Sequence, residues 1–424
     1  MTHMTETETG PRKQHVVVCG GGFAGRRAER LLRKERGRFD VTLCDANGFF
    51  EYVPAALRAM VHPQDALSTV IPQPKRTRVA AVTGVELRAT ANDQRAVSAV
   101  TLSDGTRLPC DYVLFATGSS YPAPVKATER DAVGGLHGRH RHYRTCCTQL
   151  EAVTSALVVG GGTVGVELAA EIADKWRSRK KVTLVASSHG LLDRLPPAAG
   201  RAAAAWLRRA GVELVMGDKV VDYGGADTSG WGVPGSYTLQ TSSGRIFNAG
   251  AVFNCTGGKP LSSYLRSAAP EALDARGFIQ CLPTMRVKGL TNAYAAGDVA
   301  NHGVEATAMN ADLTASVAAR NIIASAAARH EGAFPQSACF GARFAPDIQA
   351  VSLGKYNGVM VFNQLVLSGP PVAAMKWTIE TFQMQTARGY TLPTAVWGAL
   401  ENLTVFLGTK LFVARGKGRQ AVVL

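Results

Sequence analysis

One pattern occurs twice in this chain and dictates most of what the chain can become. Gly20-x-Gly22-x-x-Gly25 follows the apolar run HVVVC, and Gly160-x-Gly162-x-x-Gly165 follows SALVV. Each trio opens a segment with helical spacing of apolar residues, and each segment leads into a second apolar run, FDVTLCD or KKVTLVA. Near-continuous apolar strands joined through a helix belong to a parallel sheet covered on both faces. In such a unit the first glycine permits a tight turn, the second lets backbone approach a pyrophosphate, and the third allows helix and strand to pack closely.

The spacing shows that two whole units are repeated. Gly20 and Gly118 are 98 residues apart, Gly160 and Gly257 are 97 apart, and each unit closes on Thr-Gly. Between opening and closing, each has alternating strands around a tight turn, SDG in one and SSG in the other. After Gly257 the stretch GFIQCLPTMRVKGLTNAYAAGDVA fits neither repeat, so the second unit reads as an insertion into the first. The expected fold is α/β, with two Rossmann-like dinucleotide-binding domains and a smaller α+β C-terminal domain. Its expected divisions are 15–150 and 261–330 for the first dinucleotide domain, 151–260 for the second, and 331–424 for the last.

Two phosphate sites follow from the repeats. The first-turn residues Phe23 and Ala24, and their counterparts Thr163 and Val164, offer free helix N–H groups and the positive end of a helix dipole. Asp45 stands 20 residues after Gly25 at the end of the next strand, where a carboxylate accepts hydrogen bonds from an adenosine ribose. The second unit has Ala186 or Ser187 there, followed by His189 and Arg194. No acid repels a 2'-phosphate, so NADH and NADPH both stay open. Glu167 is expected near the nicotinamide or as an ordinary acid at a helix start, with Glu171 structural. Two dinucleotide sites make chemical sense with different occupants: a retained flavin in one and a transient nicotinamide in the other, giving a hydride path between them.

On these residues the chain resembles the apoptosis-inducing-factor-like and ferroptosis-suppressor-like FAD-dependent quinone reductases, which are related to type II NADH dehydrogenases. The segments that carry the resemblance are VVVCGGGFAGRRAERLL, DANGFFEYVPAALRAMV, VLFATGS, VVGGGTVGVELAAEI, FNCTGGKPLSS and NAYAAGDVA. It implies FAD on Gly20, Gly22, Gly25 and Asp45, with Thr117-Gly118 closing that unit, Gly257 closing the other, and Gly297-Asp298 beside the ribityl-pyrophosphate. It implies a helix starting near Val304 that points at the flavin pyrimidine, and isoalloxazine contacts from Phe49, Phe50, Tyr52, Leu57 and above all Pro54. Lys376 matches the family's lysine near an aromatic only loosely. The run Glu305-Ala306-Thr307-Ala308-Met309-Asn310 departs from the Ala-Gln-x-x-Gln-like run of type II NADH dehydrogenases, so the quinone is inherited from the resemblance and not from matching side chains.

The remaining features bear on partners. A formal charge of +15 favours anionic partners, among them membrane surfaces, but no nucleic-acid-binding pattern accompanies it. The eight cysteines include no Cys-x-x-Cys, which excludes a close-spaced redox dithiol and a zinc knuckle, and no metal site is expected. The run GLHGRHRHYRTCC reads as a solvated basic connector. The start carries Glu6 and Glu8 and no apolar run, unlike a signal or transit peptide. From Leu392 to Phe412 a helix is expected, with Val396, Trp397, Leu400, Leu403, Leu407 and Leu411 on one side and Arg415, Lys417 and Arg419 beyond it. Such a helix lies on an anionic membrane or docks on its own protein. The expected activity is hydride transfer from NAD(P)H to FAD and onward to a quinone-like acceptor, with Glu167 and Lys376 as the catalytic pair of residues. The alternatives are a reductase of a protein carrier such as a ferredoxin, and a flavin-bound signalling protein with weak NADH oxidation. A monomer or homodimer is expected, in the cytoplasm or at a membrane, mitochondrial membranes included.

Overall fold

The computed structural model describes residues 12–90, 94–122, 125–228, 232–328 and 348–410. The first apolar run, Gln14–Cys19, is the centre of a five-stranded sheet in which all pairings are parallel. Phe39–Asp45 and then Arg78–Val79 lie on one side, Tyr112–Phe115 and then Ala293–Ala295 on the other. Because side chains alternate along a strand, Val16 and Val18 face the helices Phe23–Lys34 and Ala308–Ala327, where Ala28, Leu32, Ala315 and Ile322 receive them. Val17 and Cys19 point the other way, into a layer completed by Val97, Val100 and Leu102 of the antiparallel sheet formed by Val82–Ala89, Arg95–Leu102 and Arg107–Pro109.

The second unit repeats the arrangement. Glu213–Met216, Lys181–Ala186, Ser155–Val159 and Ala251–Asn254 form a four-stranded parallel sheet in that order. Val158 and Leu184 face Val166, Ala169 and Ala170 of the helix Thr163–Trp176, whereas Leu157 and Val159 face Val220 and Leu239 of a small antiparallel sheet. Each valine and leucine among these, fully buried, contributes about 1.5–3 kcal/mol. The chain then returns to the first sheet with Ala293–Ala295, as the unassigned stretch after Gly257 requires.

The last part is a smaller α+β unit. Ile348–Ser352, Gly358–Phe362 and Leu365–Ser368 form an antiparallel meander, followed by helices Pro370–Ala387 and Thr391–Lys410. Lys376 therefore sits on a helix and not in a strand pair. The expected tail helix is present, but its stripe divides: Trp397 is buried, Val396 is half-buried, and Leu400 and Leu403 are exposed. The side chain of Leu407, together with Leu411, Phe412, Arg415, Lys417 and Arg419, lies outside the described residues, as do the first eleven residues and Cys339.

The basic run is not a solvated connector. It begins at Gly135, where φ +58° and ψ −155° kink the helical segment Glu129–Glu151, and it continues as the helix beyond that kink; the segment's start is closed by a capping box between Thr128 and Asp131. Arg139 is wholly buried: its Nε donates to Glu51 Oε1 at 2.9 Å, and its Nη1 lies 3.4 Å from Asp131 Oδ2. Composition cannot reveal a guanidinium whose carboxylate partner lies 88 residues earlier.

Candidate functional site

The two glycine trios have the same geometry. Gly20 and Gly160 hold φ of +113° and +124°, and a Cβ on either would approach the strand that closes its unit, at 2.2 Å from the carbonyl oxygen of Ala116 and 2.9 Å from that of Cys255. A Cβ at Gly25 would stand 1.7 Å from the Gly20 oxygen, and one at Gly165 would stand 1.9 Å from the Gly160 oxygen. The first and third glycines are therefore demanded by the protein itself. The middle ones are not: a Cβ at Gly22 or Gly162 meets no described atom within 4 Å. Both are N-cap residues without a side-chain cap, so the N–H groups of Phe23, Ala24, Thr163 and Val164 border an open cradle. That space and those donors fit a pyrophosphate.

Asp45 is bound into the first turn. Its Oδ2 accepts the Gly21 N–H at 2.5 Å and its Oδ1 accepts the Asn47 N–H at 2.6 Å, while burial pushes its pKa up to about 6 despite these donors. Strand register identifies the counterpart as Ala186, because Cys19 pairs with Cys44 and Val159 with Val185. Ala186 is buried, and a Cβ on Gly161 would lie 2.7 Å from its own Cβ. Arg194 is paired with Glu305 at 3.0 Å, bringing the second unit to the segment ahead of the helix Ala308–Ala327. That helix starts at Ala308, after the Thr307 cap accepts the Asn310 N–H, which is later than the expected Val304.

The closing segments converge on the first cradle. Gly118 and Gly257 have identical φ, +74°. Thr117 Oγ1 donates to the Leu261 carbonyl at 2.6 Å. Asp298 Oδ2 accepts from Ser119 Oγ at 3.0 Å and lies 3.4 Å from Lys126 Nζ. Gly297, at φ +71°, packs so that a Cβ would meet Ala24 Cβ at 3.2 Å. Beside them the Phe23 ring makes edge contacts with Phe50 and Tyr52 at 5.3 and 5.7 Å between centroids. Phe49, Phe50, Tyr52 and Leu57 are buried in the protein, whereas Pro54 is exposed.

Glu167 and Lys376, 209 residues apart, meet. Lys376 Nζ donates to Glu167 Oε1 at 2.7 Å, and the same oxygen accepts the Ser352 N–H at 2.6 Å. The acid of the second fingerprint helix is thus fastened to both layers of the C-terminal unit. Nearby, Arg58 binds Glu380 at 2.7 Å and Asp65 at 2.7 Å. Sequence reasoning named Glu167 and Lys376 but missed Arg58 with Glu380 and Asp65, because Arg58 and Glu380 are too far apart in the chain to form a motif.

It also missed a cleft between the first fingerprint helix and the last two helices, walled by Phe23, Arg26, Phe50, Asp312, Gln383 and Trp397. Arg26 lies over the Phe50 ring and donates to the Ala387 carbonyl. Burial, with Arg30 adding repulsion, lowers its pKa to about 10. Among the described residues, three buried polar atoms here have no partner: Gln383 Oε1, Thr386 Oγ1 and Trp397 Nε1. Such atoms are costly unless a water or ligand satisfies them.

Two nucleotide cradles, set on two parallel sheets and joined through one acid to a third unit, define a two-nucleotide oxidoreductase. The chain belongs to the pyridine nucleotide-disulphide oxidoreductase family, whose profile matches residues 14–318, and membership carries binding of FAD and NAD(P)H with it. Ferroptosis suppressor protein 1 of Homo sapiens is 32% identical over 314 residues, 73% of this chain and 80% of that protein. Apoptosis-inducing factor homolog B of Dictyostelium discoideum is 25% identical over 367 residues, 82% of this chain and 89% of the relative. The kinship expected from the motifs is therefore found. In fold, the chain is similar to the sulfide:quinone oxidoreductase of Aquifex aeolicus, with a TM-score of 0.71, 16% identity, and coverage of 95% and 96% of the two chains. It is also similar to NDH2 of Plasmodium falciparum solved with NADH, with a TM-score of 0.65, 14% identity, and coverage of 96% and 100%. The seven described cysteines are all free.

Proposed function

We propose that this enzyme is an FAD-dependent NAD(P)H:quinone oxidoreductase. The observation that carries the reading is the Glu167–Lys376 contact, which places one ionisable pair where the second nucleotide unit meets the C-terminal unit. In this reading residues 15–150 and 261–330 bind FAD, residues 151–260 bind NADH or NADPH, and residues 331–424 face the acceptor. Bound FAD supplies the redox chemistry that links the nicotinamide to the acceptor.

The chain's own residues then have separate tasks. Gly22 and Gly162, with the first-turn N–H groups of Phe23, Ala24, Thr163 and Val164, receive the two pyrophosphates. Asp45 accepts from the adenosine ribose, and Asp298, Thr117 and Gly118 border the ribityl chain. Gly20, Gly25, Gly160, Gly165, Gly257 and Gly297 shape the backbone that makes room for them. Pro54 meets the isoalloxazine. Glu167 orients the nicotinamide, and Lys376 holds a proton toward the reduced acceptor's oxygen. Of the three unpartnered polar atoms of the cleft under the last helices, Thr386 Oγ1 and Trp397 Nε1 can donate to an oxygen of the oxidised acceptor, and Gln383 Oε1 can accept from a hydroxyl of its reduced form.

Exposed Trp377, Leu392, Leu400 and Leu403 on the last two helices, with Tyr390 in the turn between them, support peripheral contact with an anionic membrane, mitochondrial or other. Among the described residues, no helix is long and apolar enough to cross one. The names of two relatives of similar fold, a sulfide:quinone oxidoreductase and an NDH2 solved with NADH, support the same acceptor and donor. The +15 charge favours a second reading, reduction of an acidic protein carrier such as a ferredoxin.

Anaerobic stopped flow separates the two readings. NAD(P)H should bleach the flavin band, and the reduced protein should then be reoxidised by a short-chain quinone, and faster by a long-chain quinone in anionic vesicles. Rapid reoxidation only by a small iron-sulfur protein overturns the quinone reading. Retained FAD with no acceptor-dependent turnover leaves the flavin-bound signalling protein.

A further inference from the structure

Glu171 is a buried acid for which the reading above has no use. It follows Glu167 by four residues on the helix Thr163–Trp176, which puts the two side chains on one face, one turn apart, with about 5–6 Å between Cβ atoms. Glu167 is partly accessible, whereas Glu171 retains 3% of its surface. The charged groups that bear on it come from three helices: Arg58 from Ala56–Val61, Lys376 from Pro370–Ala387, and Glu167 and Asp174 from its own. Both cations are already engaged, Arg58 with Glu380 and Asp65, and Lys376 with Glu167. Neither forms a salt bridge with Glu171. Burial therefore outweighs the attraction of Arg58, Glu167 adds its repulsion, and the carboxyl pKa is pushed up to about 7.

We propose that Glu171 is the proton reserve of the Glu167–Lys376 pair, delivering to the acceptor the proton that hydride transfer does not bring. The inference rests on the quinone reading. Reduction of a quinone to a hydroquinone takes two electrons and two protons. A hydride equivalent brings both electrons and one proton and forms one O–H bond. The second O–H bond forms when Lys376 Nζ gives up a proton to the other oxygen. The Glu171 O–H then breaks, and its proton passes by way of the Glu167 carboxylate to the neutral Lys376 amine, so that Glu167 ends as the carboxylate it was, Lys376 is an ammonium again, and Glu171 is left as a carboxylate. It is reprotonated from solvent, so one external proton is consumed per turnover through this route. Glu171 acts through Glu167 and touches no substrate: it is a positioning residue for a proton.

The test uses holoenzyme and the variants Glu171→Gln, which keeps the shape and removes the proton, and Glu171→Asp, which keeps the proton. For the wild type, the acceptor half-reaction should fall about tenfold per pH unit above the carboxyl's titration. Glu171→Gln should be slower by about tenfold at pH 6 and lose that pH limb, while nicotinamide half-reaction rates and flavin content stay unchanged. Glu171→Asp should restore the limb. A readout independent of turnover is infrared spectroscopy of the resting protein: a protonated-carboxyl band should titrate away near neutral pH in the wild type and be missing from Glu171→Gln. An unchanged limb and rate in Glu171→Gln, or a band that persists in it, overturns the proposal. Should Glu171→Gln fail to fold, Glu171→Asp and the wild-type titration decide: absence of a titrating band overturns the proposal just as well. Failure of every quinone to reoxidise the wild type defeats the acceptor reading instead, and the infrared titration then shows whether the buried acid itself behaves as described.

Discussion

Replacing Gly22 and Gly25, three residues apart, should damage this protein in opposite ways. Alanine at Gly25 would put a methyl 1.7 Å from the Gly20 oxygen, and Cβ atoms essentially never come within 3.0 Å of such an atom. The helix Phe23–Lys34 would have to retreat by about 1.3 Å from a sheet against which Ala24, Ala28 and Leu32 are packed, an overpacking and repacking cost of more than about 4 kcal/mol. Valine at Gly22 meets no protein atom within 4 Å, and the backbone there, φ −78° and ψ −159°, suits a β-branched residue. The apoprotein should therefore stay within about 0.5 kcal/mol of the wild type. What Gly22→Val removes is the room for the pyrophosphate, and with it the linkage stabilisation of bound FAD, about 2.7 kcal/mol at a ligand concentration one hundred times Kd. Paired thermal melts of apoprotein and FAD-loaded protein, with flavin absorbance after gel filtration, measure both effects. Gly25→Ala should lower the melting temperature with and without FAD, and Gly22→Val only the FAD-dependent increment. Full flavin retention by Gly22→Val, or a wild-type melt for Gly25→Ala, would refute the argument.

In the second unit, Ala186→Asp should create the mirror image of Asp45, accepting the Gly161 N–H and repelling a 2'-phosphate; kcat/KM for NADPH should then fall relative to NADH by at least about tenfold, and an unchanged ratio would show that Ala186 does not face the ribose. Arg139→Met should destabilise by about 3–5 kcal/mol in denaturant titration, because the buried carboxylates of Glu51 and Asp131 lose their guanidinium. The double variant with Glu51→Gln should recover part of that loss. For Glu171, the folded pKa of about 7 lies above the ordinary 4.5, so the native state holds a proton that the unfolded chain releases in between. Stability should decline as pH rises through that window, by up to about 3 kcal/mol in total, and Glu171→Gln should abolish this part of the pH dependence of the melting temperature.

Both nucleotide units were legible because their determinants are local. A glycine trio, a helix and a following strand lie within some thirty residues, and the physics that fixes them repeats at the same spacing, down to the matching φ of Gly118 and Gly257. The convergence on Glu167 was legible only in part. Its fingerprint position singled it out, but Ser352 and Lys376 reach it from the far end of the chain through folding of a unit with no motif of its own. Arg139 misled for the same reason: a histidine- and arginine-rich run looks solvated until Glu51 and Asp131 are brought to it. The unpartnered atoms of Gln383, Thr386 and Trp397 could not be read at all, since each is an ordinary helix residue until three elements close around it.

The return of the chain to its first sheet imposes an order on synthesis. The strand Ala293–Ala295 borders Tyr112–Phe115, yet nearly 180 residues, including the whole of the second sheet, emerge between them. While the chain leaves the ribosome from its N-terminus, the second sheet is complete at Asn254, whereas the first still presents the edge of Tyr112–Phe115 with open hydrogen-bonding groups. The earlier-made half thus finishes later. The nascent protein has a built-in waiting period in which an exposed strand edge must be kept from other chains, and prompt folding of the inserted unit is what shortens it.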